Sequence, residues 1–104
     1  MTSKLEVIEG LQEQTSDERI PYSIDFSGYG ASSLDSATAA AFDEGSEENV
    51  TTTVFPTNTP SVSGAVATLS VLRALTKGHT YRIEVLAVES ATYYEAYFRV
   101  YCSK

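Results

Sequence analysis

The sequence predicts an all-β fold, a two-layer sandwich of about seven antiparallel strands. Short segments of alternating apolar and polar residues recur about every ten residues, and Gly, Pro, Asn or acidic turns separate them. No long helix is expected. A chain of 104 residues is close to the commonest size for one domain. It buries roughly 65% of its unfolded surface, enough for one core without disulfides, so residues 1–104 read as one domain.

The elements follow in order. Leu5 and Val7 alternate within a first edge strand or arm at 4–9. The polar run Gln12–Glu18 then reads as a loop, so residues 1–16 stand as an N-terminal arm or edge strand. Arg19–Ser27 alternates most cleanly, with Ile20, Tyr22, Ile24 and Phe26 on one face. Pro21 donates no ladder hydrogen bond and requires an edge or a bulge. Residues 34–42 are open to two readings. Their alanines favour a helix with an Asp or Ser cap, whereas Ala37, Ala39 and Ala41 at period two favour a strand among strands. An acidic turn follows at 43–48, then the β-branched run Asn49–Phe55, expected to be a strand. Ser61–Leu69 gives one or two short strands around Gly64, and Leu72 and Leu75 lie in a connection. Tyr81–Val88 alternates again, Glu89–Thr92 makes a hairpin connection, and Tyr93–Cys102 is the last strand. The expected core is Ile20, Tyr22, Ile24, Phe26, Ile83, Val85, Phe98 and Val100.

Charge narrows the partners. Fourteen acidic residues against seven basic ones leave a net charge of −7, with no basic stripe. Such a surface repels phosphate backbones and anionic lipid, so neither nucleic acid nor membrane is an expected partner. One cysteine, Cys102, excludes an intrachain disulfide. Residues 1–6 contain no apolar run of signal-peptide length, so synthesis in a cytoplasm without an export signal is expected.

The segment Leu75-Thr76-Lys77-Gly78-His79-Thr80-Tyr81 has a specific physical meaning. A buried Tyr ring needs a partner for its hydroxyl, and a Tyr opening a strand after a Gly turn can fold back onto the preceding backbone. Leu75 can fill the space beneath the ring. The spacing resembles the tyrosine corner of fibronectin type III and related immunoglobulin-like folds.

A broader resemblance rests on four segments: Asp17–Ser27, Pro60–Gly64, Gly78–Ile83 and Tyr97–Val100. In this order and spacing the chain resembles the small immunoglobulin-like virion proteins of tailed bacteriophages, of the fiber–tail adaptor type. Phe26 stands where that family often has Trp, and the chain contains no Trp. The resemblance implies a structural role in a virion, in tail, fiber or head, through contacts with other virion proteins or with further copies of itself. The alternative is a stand-alone binding module for a carbohydrate or a surface protein.

Enzymatic chemistry is not expected, and neither is a cofactor. His79 is the only histidine, so a His-based metal pair cannot form within one chain, and it reads as a solvated loop residue. Cys102 shares strand parity with Ala96, Phe98 and Val100 and reads as buried and inert. Asp43, Glu44, Glu47 and Glu48 fit no EF-hand spacing and read as a solvated turn rather than a metal site. Asn49-Val50-Thr51 is a formal glycosylation sequon without an export signal to use it. The other parity of the last strand carries Tyr93, Glu95, Tyr97, Arg99 and Tyr101. These residues either pack on a ladder with Arg82, Glu84 and Leu86, or form a protein interface through Tyr93, Tyr97, Arg99 and Tyr101. Tyr and Arg are favoured residues at such interfaces, and the two readings are compatible.

Overall fold

The computed structural model describes residues 4–104, with side chains described from Leu11 onward. Its strands are β1 (Lys4–Gln14), β2 (Ser23–Asp25), β3 (Ser36–Asp43), β4 (Glu48–Asn49), β5 (Ser61–Ser63), β6 (Val66–Thr68), β7 (Thr80–Glu89) and β8 (Thr92–Cys102). They form a five-stranded sheet in the order β1-β8-β7-β3-β4 and a three-stranded sheet in the order β2-β6-β5. Helix among the described residues is confined to a 3₁₀ turn at Phe26–Tyr29 and one α-turn, α1 (Thr51–Val54). The chain is all-β.

One core lies between the sheets. Ile24 and Ala67 from the small sheet meet Ala37, Ala39, Ala41, Ile83, Val85, Ala96, Phe98 and Val100 from the large one. Phe26 is fully buried and packs against Tyr29 and Tyr94. Of the expected core, Ile20 and Tyr22 are only half-buried, although the Tyr22 ring lies 5.1 Å from that of Phe98.

Several expectations need correction. The pairings are not all antiparallel: β1 runs parallel to β8, with Lys4 opposite Glu95 and Gln14 opposite Cys102. The ladder shifts register between Glu6 and Leu11. β1 also continues through Gln12–Gln14, which composition alone marks as loop. Its last residue supplies the reason. Gln14 is fully buried, its amide donating to the Leu72 and Glu18 carbonyls at 2.6 and 3.0 Å and its oxygen accepting from the Tyr22 hydroxyl. A polar side chain with its groups bonded can occupy a core position.

Arg19–Ser27 is not one continuous strand. Ile20 makes an isolated antiparallel bridge to Leu72, Pro21 interrupts the ladder, and β2 occupies only Ser23–Asp25. Asp25 then accepts from the Ser27 N–H and opens the 3₁₀ turn. The strand expected at Asn49–Phe55 is mostly α1. Asn49 Oδ1 accepts from both the Thr51 N–H and its hydroxyl, at 3.0 and 2.7 Å, which starts a turn that β propensity would not choose. Thr51 Oγ1 in turn accepts the Ala41 N–H, at the free edge of β3.

Residues 34–42 resolve to strand. Ala37, Ala39 and Ala41 are buried, and β3 pairs with β7 from Ser36 opposite Val88 to Asp43 opposite Tyr81. Eight residues of ladder outweigh the helical preference of alanine. The hairpins close as their turn residues require. Gly64, at φ +57°, joins β5 to β6. Ser90, at φ +53°, joins β7 to β8 and is held there by its N–H donating to Asp35 Oδ2.

Candidate functional site

Alternation along β8 sends Ala96, Phe98, Val100 and Cys102 into the core, each essentially inaccessible. The other parity therefore faces outward, and the structure places Tyr93, Tyr97, Arg99 and Tyr101 in one file on the large sheet. Tyr93 is 47% exposed, while Tyr97 and Tyr101 are half-buried between flanking strands. The register on one side puts Val88 opposite Tyr93, Leu86 opposite Glu95, Glu84 opposite Tyr97, Arg82 opposite Arg99 and Thr80 opposite Tyr101. On the other side β1 sets Leu11 opposite Arg99 and Glu13 opposite Tyr101. Leu11 is 53% exposed, and with Tyr93 it is one of two large hydrophobic residues open to solvent among the described residues.

An ionic belt crosses the middle of the face. Arg82 and Arg99 stand directly opposite each other, which would be unfavourable for two bare cations. Glu44, from the turn after β3, relieves this: its Oε1 accepts from Arg99 Nη2 and Nε at 2.9 and 3.0 Å, and its Oε2 lies 3.9 Å from Arg82 Nη1. Arg82 also bonds Glu84 at 2.7 Å and approaches Glu47 at 3.6 Å, and its guanidinium lies over the Phe42 ring. The Glu84 hydrogen bond, foremost, raises the Arg82 pKa further and fixes it as a cation. The belt leaves Tyr93, Leu86 and Val88 toward one end of the face, and Leu11 and Tyr101 toward the other.

The acidic turn is thus not merely solvated. Besides Glu44 and Glu47, Asp43 Oδ2 lies 2.6 Å from His79 Nδ1, and its other oxygen accepts the Gly45 N–H. The hydrogen bond from His79, foremost, holds the Asp43 carboxyl below the usual carboxylate range. His79 accordingly is no free loop residue: it ties the 76–79 connection to the end of β3 and stacks near Tyr81. Beneath it, Tyr81 is 3% exposed and its hydroxyl accepts the Thr76 N–H at 2.8 Å, as the spacing of that segment predicts. Among the described residues no cluster of three or more His, Cys, Asp or Glu side chains is gathered to hold a metal ion. Cys102 is buried.

The four expected interface residues are brought together by a single strand. Leu86 is placed beside this file by the alternation of β7 alone, whereas Leu11 and Val88, which widen the face, lie beyond the reach of the sequence because their placement depends on the β1–β8 and β7–β8 registers. Glu44 is likewise hidden there, since its role requires the turn after β3 to fold across the sheet. Comparison with protein families, curated proteins and solved structures gives no match to this chain.

Proposed function

We propose that this chain is an immunoglobulin-like sandwich that acts as a non-catalytic structural component of a tailed-phage virion, joined to a neighbouring protein through the outer face of its five-stranded sheet. The strand order β1-β8-β7-β3-β4 over β2-β6-β5, with the Tyr81 corner, supports the immunoglobulin-like reading. The virion setting rests on the sequence resemblance. The observation that carries the contact is the file of Tyr93, Tyr97 and Tyr101 on the outer sheet face, with Tyr93 and the neighbouring Leu11 open to solvent. Rings with a polar tip give large contact area at low entropic cost, and the belt of Arg82, Arg99 and Glu44 gives that contact a fixed orientation.

The test has two parts. Mass spectrometry of purified particles should find the chain in many copies; particles lacking it would remove the virion assignment. The double substitution Tyr97→Ser/Tyr101→Ser should leave the circular dichroism spectrum intact and reduce incorporation or pull-down of particle proteins at least tenfold. Normal incorporation of that variant would remove the tyrosine face from the contact.

A further inference from the structure

A second pair of arginines lies elsewhere on the chain. Ile20 and Leu72 exchange both backbone hydrogen bonds, at 3.2 and 2.9 Å, as an isolated antiparallel bridge. Extending that register by one residue sets Arg19 opposite Arg73. Leu72 points into the core, so the neighbouring side chain of Arg73 points out, and Arg19 is exposed beside it. Both arginines line one open hollow of about 380 Å³, walled by the Ser16–Glu18 turn, Thr53 and Ala74. The site is fixed by backbone: the Arg73 N–H donates to the Val54 carbonyl at 2.9 Å, and Ala74, at φ +57°, turns the chain so that Leu75 enters the core.

The two arginine pairs differ in one respect. Arg82 and Arg99 have Glu44 between them, whereas the side chain of neither Arg19 nor Arg73 has a carboxylate or other bonded partner among the described residues. The nearest acids do not serve. Glu18 is engaged by the Thr15 N–H at 2.8 Å, and Asp17 forms no ion pair among the described residues. Asp17 and Glu18 thus share the hollow with the two arginines, yet neither carboxylate makes an ion pair with Arg19 or Arg73 among the described residues. Like charges opposite each other cost stability unless an anion joins them.

We propose that this hollow binds a carboxylate supplied from outside the chain, held between Arg19 and Arg73 as Glu44 is held between Arg82 and Arg99. The planar guanidinium fork matches a planar carboxylate, and the acidic rim of Asp17 and Glu18, with the chain's negative charge, disfavours polyanions. The carboxylate belongs either to a Glu or Asp of a partner protein or to a small free organic acid. The site shares no residue with the tyrosine face, so each proposal stands or falls alone.

Titration of the full chain, observed through the arginine Nε–Hε resonances, tests this with three probes: acetate, a blocked Gly-Glu-Gly peptide, and its Gly-Gln-Gly counterpart. The Arg19 and Arg73 signals should move and saturate with the first two and not with the third, while Arg82 and Arg99 stay still. Arg73→Gln should weaken binding roughly tenfold or more, the equivalent of one charge-assisted hydrogen bond. The same substitution, and Arg19→Gln, should leave the melting temperature of the free protein unchanged or higher, because each relieves repulsion. Tighter binding of the Glu peptide than of acetate assigns the carboxylate to a protein segment, and equal binding assigns it to a free acid. Non-saturating shifts, equal movement of all four arginines, or undiminished binding by Arg73→Gln overturns the proposal.

Discussion

The hydroxyl of Tyr81 is a single atom whose loss has a defined price. Tyr81→Phe keeps the buried ring and removes only the acceptor for the Thr76 N–H, so unfolding in urea should show a loss of about 1 kcal/mol, the net value of one hydrogen bond. A variant as stable as the parent would mean that the corner does not hold the 76–79 connection. Gln14 is a harsher case. Gln14→Leu conserves its bulk but removes two donated bonds and leaves the half-buried Tyr22 hydroxyl without its acceptor. The expected loss in the same experiment is about 2–3 kcal/mol. Tyr81 is legible from the sequence because its partner lies five residues away and a Gly turn marks the return. Gln14 is not, because its key partner, Leu72, lies fifty-eight residues downstream and nothing local distinguishes it from Gln12.

Elements are legible where one periodicity rules and obscure where a side chain competes with it. β7 and β8 follow strict alternation, so the order of their residues is enough to separate the inward face from the outward one. β3 carries two periodicities at once, and only its pairing with β7 decides between them. The 49–55 run misleads because Asn49 captures the Thr51 backbone, a local event that a β-branched composition conceals. The turn after β3 offers a test at this scale. Asp43 has its carboxyl held below the ordinary value by His79 first of all, so the folded state binds its proton less readily than the unfolded chain. Its contribution is therefore present above the ordinary carboxylate range and is lost as pH falls below about 4 toward the lower native value. His79→Ala should flatten that acid limb, measured as the urea midpoint against pH, so that the variant falls slightly below the parent at neutral pH and the two curves converge in acid, the gap staying small because the His79 ring is largely exposed. An acid limb as steep as the parent's would mean that the Asp43–His79 contact does not persist in solution.

For the molecule as a whole, the two-sheet all-β architecture is available from the spacing of short strands, while the direction of the first strand is not. Nothing in Leu5 or Val7 distinguishes a parallel neighbour from an antiparallel one. That direction matters mechanically. Because β1 runs parallel to β8, Lys4 sits beside Glu95 while the chain leaves β8 beside Gln14, at the opposite pole of the sheet. Tension applied through Lys4 and Lys104 therefore pulls the two strands along their common axis in opposite senses. The backbone bonds on both sides of the register shift are loaded together in shear. Tension through Lys77 and Lys104 instead enters the antiparallel β7–β8 pair at one pole, where Thr80 faces Tyr101, and opens it one bond at a time. Single-molecule pulling between the first pair of points should require distinctly higher force than between the second, and equal forces would show that the β1–β8 ladder bears no load. The parallel β1–β8 pair thus sets the direction of pull that the domain is expected to resist best.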